Sequence, residues 1–321
     1  MDDILSRIND KYKNLGQNPT AYLEGLLHAK PITYWDYIQV DTLLTLQKPR
    51  TDFPDELIFI TYHQIIELTL KLVIHELEQI TSAATTDMHE ISVKLGRVSR
   101  YTDLLSSSFT IMSNGMSAEQ YNQFRMSLTP ASGFQSAQFR LVELYSTDLD
   151  NLINERGKKL MPENTALRDK FDFLYWQDAG FDRAKGTKSL TLQHFEQKYL
   201  ESFRELAERM DGNNLYQRAL RWKKDGSITN ELVEALRGYD YNYNVTFPIA
   251  HLKTAHAYLG SGHEQKAATG GSAWEKYLHP MYQRRVFFPA FWSEDELRDW
   301  GKPKEQAGTK EGKGNEVAPG L

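Results

Sequence analysis

The 321-residue chain is 40% hydrophobic and 12% aromatic, carries a formal net charge of -5 and contains no cysteine. That composition supports one large globular domain or two small ones, and the missing cysteines exclude disulfides, zinc-thiolate sites, iron-sulfur clusters and a thiolate nucleophile. Lys and Arg are scattered among acids, which argues against nucleic acid. The start MDDILSRINDKYKN lacks a signal-peptide pattern and no later stretch reads as long and apolar enough to cross a bilayer, so a cytoplasmic protein without a membrane partner is expected.

Residues 1–28 read as short amphipathic helices, with Ile4, Ile8 and Tyr12 on one face and Tyr22, Leu26 and Leu27 on another. Pro31 interrupts them. Tyr34, Tyr37, Val40 and Leu44 then recur at helical spacing, giving a helix that opens on an aromatic face and runs to Lys48 and Pro49. The turn PRTDFPDE leads into the longest apolar-periodic segment, about Glu56 to Thr81, which predicts a buried helix. Phe59, His63, Glu67 and Lys71 follow one another in i+4 steps, so an aromatic and a histidine share one face. Burial lowers the pKa of such a histidine and keeps it neutral; a core histidine bonded to a backbone carbonyl has the same pattern. A second helix is predicted from about His89 to Met112, forming an antiparallel hairpin with the first.

FRMSLTPASGFQSAQFR, Phe124 to Arg140, places a fixed cation, a tight turn and a helix start in one run. Arg125 lies four residues after Tyr121, so guanidinium and phenol can grip one carboxylate. Thr129 and Pro130 stop the helix, Ser132 is a predicted N-cap, Gly133 permits close backbone approach, and a new helix is predicted from Phe134. Free N–H groups at that start favour an anion. A capped helix-turn-helix with a surface arginine is the alternative reading.

Farther on, STDLDNLINERGKKLMPEN has loop character, and two helical patterns between Lys170 and Gly212 read as an inserted excursion. A long helix is predicted over Asn230–Leu259, loosened or kinked at Gly238 and Pro248, with His251 just beyond the kink. GSGHEQKAATGGS, Gly260–Ser272, reads as a mobile loop, and the tail from Lys302 as disordered. Nothing alternates with a convincing strand period; the fold class is all-α.

Several chemistries find no motif. The Gly260–Gly271 glycines lack a following GKS or GKT, HELEQ at His75 is not HExxH, His251 and His256 are five apart, and no GxSxG is present. Isolated histidines, an arginine–tyrosine fork and a Thr-Gly-Gly loop suit haem, since one axial histidine leaves the opposite face open for oxygen and substrate. A surface position for His251 is the other possibility.

The segments YWDYIQVDTLLTLQ, LIFITYHQIIEL, YNQFRMSLTPASGFQSAQFR, HLKTAHAYLG and ATGGS, in that order between about Thr33 and Trp292, together resemble the tryptophan 2,3-dioxygenase family. The resemblance implies a haem b enzyme that opens the indole pyrrole ring of L-tryptophan with O2 to give N-formylkynurenine, in an all-helical homotetramer. It implies an N-terminal arm over 1–32, a haem-binding helical catalytic domain over 33–301 with an excursion at about 147–229, and a tail over 302–321. By position, His251 would be the axial ligand of the haem iron and His63 the distal histidine that meets the indole N–H. Phe59 would pack on the indole, Arg125 and Tyr121 would hold the carboxylate, and Thr269 would contact the amino acid head. Ser132 and Gly133 would line the junction of haem and substrate, and Tyr34 and Tyr37 would reach into a neighbouring subunit's pocket.

Some positions depart from the family pattern. Thr69 replaces the tryptophan of the usual Glu-Leu-Trp, Phe247–Ala250 replaces an aromatic and arginine-rich run, Ala268 replaces a glycine, and the loop before Thr269 is longer. These departures bear on loop closure and substrate scope. Two other functions remain open on sequence: a sibling haem enzyme inserting one oxygen atom into an aromatic amino acid, and a haem or amino acid sensor.

Overall fold

The computed structural model describes residues 2–82, 87–182, 185–260 and 278–302. Ala268, Thr269, most of the Gly260–Ser272 loop and the tail beyond residue 302 lie outside the described residues. The chain is all-α, in two compact units, Met1–Lys48 and Pro49–Leu321.

The first unit holds α1 (Asp2–Asn14), α2 (Pro19–His28), α3 (Tyr34–Ile38) and α4 (Val40–Leu43). Pro19 starts α2 with φ already helical, while the Asn18 side chain accepts the Thr20 N–H at 3.0 Å. Tyr12 and Tyr22 stack at 4.2 Å and join α1 to α2. The single helix expected from Tyr34 is broken at Gln39, whose φ of 56° is left-handed. Its aromatic face is left bare: Tyr34 is 72% and Tyr37 76% exposed.

The second unit is built on α5 (Asp55–Thr81). Glu56 turns its buried carboxylate back to accept the N–H groups of Arg50 and Thr51 at 2.9 and 2.8 Å, which fixes the entry of the chain. Leu70, Val73, Leu77 and Ile80 are wholly buried, each worth roughly 2 kcal/mol of apolar burial. Contrary to the sequence expectation, α5 is long and apolar enough to cross a membrane, with mean hydropathy 1.5 over its most apolar stretch. Here one of its faces is core, while Leu57, Leu68 and Leu72 stay exposed.

Helix α6 (Met88–Ser107) packs along α5, and the continuous helix expected to Met112 ends at Ser108, before the short α7 (Phe109–Ser113). Helix α8 (Ala118–Phe124) is tied to the start of α5, because Asp55 accepts the Ser117 N–H at 2.6 Å and Gln120 accepts the Asp55 N–H at 3.1 Å. Next come a 3-10 turn at Arg125–Leu128, a cis Thr129–Pro130 peptide and a 3-10 turn at Gly133–Gln135. Ser132 caps that turn reciprocally with Gln135, as its position predicted, but the α-helix α9 begins later than expected, at Ala137, and runs to Ser146.

Between residues 147 and 229 lie α10 (Glu155–Leu160), α11 (Tyr175–Ala179), a two-strand antiparallel ribbon of β1 (Phe181–Asp182) and β2 (Thr187–Lys188), α12 (Leu190–Met210) and α13 (Leu215–Asp225). Helix α12 packs on α9, and its Leu192, Phe195 and Phe203 belong to the main core. Helix α14 (Asn230–Tyr241) passes through a π-turn at Asn242–Thr246 into α15 (Phe247–Leu259). The cause is Pro248: its missing N–H and its ring exclude a regular bond to residue 244, and the Phe247 N–H reaches back five residues to the Asn242 carbonyl. Gly238 does not break α14. The chain closes over this region with Val286–Trp292 and α16 (Glu294–Arg298).

Candidate active site

Helices α5, α7, α8 and α15 bring the histidines and their aromatic neighbours together. On α5, the Nδ1 of His63 lies 2.7 Å from the Phe59 carbonyl one turn earlier. A carbonyl only accepts, so Nδ1 carries the hydrogen and Nε2 keeps its lone pair. Burial lowers the His63 pKa, against smaller opposing effects of that carbonyl and of Glu67. The Phe59 ring lies 4.2 Å from the His63 ring, and Tyr121 and Phe124 of α8 approach Phe59 at 5.9 and 5.7 Å. Arg125, one turn after Tyr121, is 6% exposed and holds its guanidinium carbon 5.9 Å from the centre of the Tyr121 ring. The i+4 spacing read from the sequence therefore does put cation and phenol side by side.

His251 lies on the second turn of α15. Burial pushes its pKa down to about 4, and the positive charge that His63 can carry acts in the same direction, so the two imidazoles sense one another. Phe109 of α7 stacks on the His251 ring at 5.2 Å, with planes 23° apart, and Phe247 lies 6.4 Å away on the preceding turn. Helix α15 is held against α7 and α8 by Tyr258, whose hydroxyl donates to the Met112 carbonyl and lies 3.1 Å from the Met116 carbonyl. Asn122 of α8 donates to the Tyr258 carbonyl at 3.3 Å.

A cavity of about 70 Å³ opens beside His251, lined by Gly133, Phe134, Phe139, Phe247, Pro248, Arg140 and Arg285 among others. A Cβ added to Gly133 would meet no protein atom within 4 Å. Behind this wall is a buried polar cluster: Glu143 accepts from Arg140 at 3.1 Å, Arg285 at 3.2 Å and the Tyr175 hydroxyl at 2.5 Å. Arg140 and Arg285 lie 5.2 and 4.7 Å from the Tyr175 ring centre. A more spacious cleft, about 800 Å³, lies between α14 and α16 around Arg237, Trp292 and Trp300, but it contains no histidine. Volume alone does not locate the chemistry.

The donor chemistry suits a haem iron. Among the described residues no group of three or more His, Cys, Asp or Glu could hold a bare metal ion, so a lone neutral imidazole makes a complete site only for a metal that brings its own equatorial ligands. Three phenylalanines, Phe134, Phe139 and Phe247, line the cavity together with the cations Arg140 and Arg285, and the space at Gly133 lets a flat group approach the backbone. A macrocycle exceeds 70 Å³, so the cavity would have to widen to admit one.

Of the residues singled out by sequence, Phe59, His63, Tyr121 and Arg125 form one wall, and His251 and Gly133 line one cavity. Ser132 shapes the turn that presents Gly133. Tyr34 and Tyr37 are in the first unit, and Thr269 lies outside the described residues. Sequence reasoning missed Phe109, Tyr258 and the Glu143 cluster. Tyr258 had a local signal, its position two turns after His251 on one helix face, and so did the Arg140–Glu143 pair, three residues apart on α9.

A family profile described as tryptophan 2,3-dioxygenase matches residues 25–246, ending short of His251. Similar proteins of that name include one from Bacillus cereus (strain ATCC 10987 / NRS 248), 30% identical over 86% of this chain and 98% of its own length. Another, from Bacillus thuringiensis subsp. konkukian, is 29% identical with the same coverage, and one from Ruegeria pomeroyi is 39% identical over 39% of this chain and 46% of its own. With a profile match that covers most of the chain and Bacillus relatives aligned along nearly their whole length, the chain belongs to the tryptophan 2,3-dioxygenase family.

Proposed function

We propose that this chain is a haem-dependent dioxygenase that uses O2 to open the indole pyrrole ring of L-tryptophan, giving N-formylkynurenine, in which His251 would hold the haem iron. The observation that carries this reading is the pairing of two neutral histidines within electrostatic reach of one another, one beside a buried arginine–tyrosine pair and one on the cavity wall. When bound, haem supplies the binding and activation of O2.

The side chains position the amino acid and shield it from water. Arg125, a fixed cation with a planar fork, takes the substrate carboxylate in a set orientation, and Tyr121 adds a phenol beside it. Phe59 offers its face to the indole. His63, with its proton held on Nδ1 by the Phe59 carbonyl, offers Nε2 as acceptor for the indole N–H. The aromatic surround excludes water, which strengthens each of these polar contacts. Gly133 and the Ser132-capped turn border the cavity where cofactor and substrate would meet, and by the family likeness Thr269 would contact the amino acid head.

The chain acts as a homo-oligomer, a tetramer by analogy with the family, in the cytoplasm. The exposed Tyr34 and Tyr37, and the exposed Leu57, Leu68 and Leu72 of α5, are the apolar surface such an assembly would cover. The test is turnover: haem-loaded, reduced protein given L-tryptophan and O2, with absorbance and mass of the product recorded. N-formylkynurenine, with two added oxygen atoms, supports the reading. A product with one added oxygen overturns it in favour of a monooxygenase, and haem uptake without turnover overturns it in favour of a sensor.

A further inference from the structure

We propose that Phe109 is a positioning residue that sets the rotational orientation of the His251 imidazole. This inference rests on the reading of His251 as an iron ligand. A metal-bound histidine is ordinarily oriented by a hydrogen bond from its second ring nitrogen to a carboxylate, carbonyl or water. Among the described residues, no hydrogen-bond partner reaches either ring nitrogen of His251. The torsion that turns an imidazole plane is broad and two-fold, so with no protein hydrogen bond on the ring, ring packing is the protein contact that can fix it.

Phe109 supplies that packing. Its ring lies 5.2 Å from the imidazole with planes 23° apart, the offset stacked geometry, whereas Phe247 approaches at 6.4 Å and 52°. Phe109 is itself held: it is 7% exposed and contacts Tyr62 at 5.6 Å and Phe247 at 5.3 Å. The break at Ser108, whose hydroxyl donates to the Leu105 carbonyl at 2.9 Å, starts the short α7 that turns this ring toward α15. Tyr62 continues the contact to His63, edge-on at 5.3 Å, so one chain of rings joins the two histidines. A flat face in place of a carboxylate orients the imidazole without adding negative charge to it.

The test uses the full-length, haem-loaded protein and the variants Phe109→Leu, which keeps the apolar bulk and removes the flat face, and Phe109→Tyr, which keeps the ring. The readouts are the ferric electron paramagnetic resonance line shape and the rate of haem transfer to an apoglobin. Phe109→Leu should broaden the ferric signals and speed haem loss roughly tenfold, in the range seen when the groups supporting a metal ligand are removed. Phe109→Tyr should restore both. A wild-type line shape and release rate in Phe109→Leu overturn the inference, as does a Phe109→Tyr protein no better than Phe109→Leu. If Phe109→Leu does not fold, Phe109→Met gives the same reading. His251→Ala separates the premise from the inference: unchanged haem binding there removes the ligand assignment itself, while loss of haem there with a silent Phe109→Leu removes only the role of Phe109.

Discussion

Replacing Asp240 with asparagine should make folding stability less dependent on pH in a window set by this one carboxyl. Asp240 is wholly buried on α14 and accepts four hydrogen bonds: Phe287 N–H at 2.9 Å, Phe288 N–H at 3.0 Å, Trp292 Nε1–H at 3.0 Å and Asn244 Nδ2 at 2.8 Å. These bonds clamp the closing segment onto the helix that leads through the π-turn to His251. Burial nonetheless dominates and raises the pKa from 3.8 to about 6, the four donors recovering only part of the cost. The rise of about 2 units corresponds to about 3 kcal/mol. The folded state binds a proton here more readily than the unfolded state, so this group's contribution to stability is most favourable below the unfolded pKa and is lost as pH rises through about 6. Asp240→Ala, which leaves buried donors without an acceptor, should cost on the order of 4 kcal/mol at neutral pH. Asp240→Asn keeps one acceptor oxygen, turns an NH2 toward existing donors and cannot ionise. The assay is urea unfolding of wild type and Asp240→Asn at steps from pH 4.5 to 7.5, reading the difference between them so that other carboxylates cancel. The wild-type advantage should shrink as pH rises; a constant difference would refute the assignment of a raised Asp240 pKa.

Other outcomes follow from the site. Arg125→Lys keeps the charge but loses the planar fork, and Arg125→Ala loses both, so kcat/KM for L-tryptophan should fall in that order, by roughly a hundredfold for alanine; equal values for the two variants would show that only charge matters. Because burial lowers the His63 pKa, the neutral acceptor persists below the ordinary histidine range. The acidic limb of kcat/KM should therefore lie below pH 6.5 and disappear in His63→Ala, whereas a limb at or above 6.5 contradicts the depressed pKa. Tyr34→Ser with Tyr37→Ser should lower the mass measured by light scattering at a given concentration, and an unchanged mass would take those exposed rings out of the proposed assembly.

Local pattern determined a good deal. The apolar period of α5, the Ser132 cap and the spacing of Tyr121 and Arg125 all operate within one or two turns, where a residue's neighbours are fixed by helix geometry alone. The same local reading anticipated a disturbance at Pro248 but not its form, a π-turn placed before the proline, because the chain could relieve the clash by bending, fraying or widening. It also ran helices through Gln39 and Ser108, where nothing in the period signals a break.

Tertiary structure decided what stands beside what. Phe109 reached His251, Asp240 received the N–H groups of Phe287 and Phe288, and Glu143 gathered Tyr175 and Arg285 only when distant segments packed. The sequence by itself determined the helices, the family likeness and the candidate histidines. Which aromatic ring lies on which imidazole, and which acid is driven to an unusual pKa, depended on burial and close packing between segments tens or more than a hundred residues apart, and no periodicity within a segment encodes those contacts.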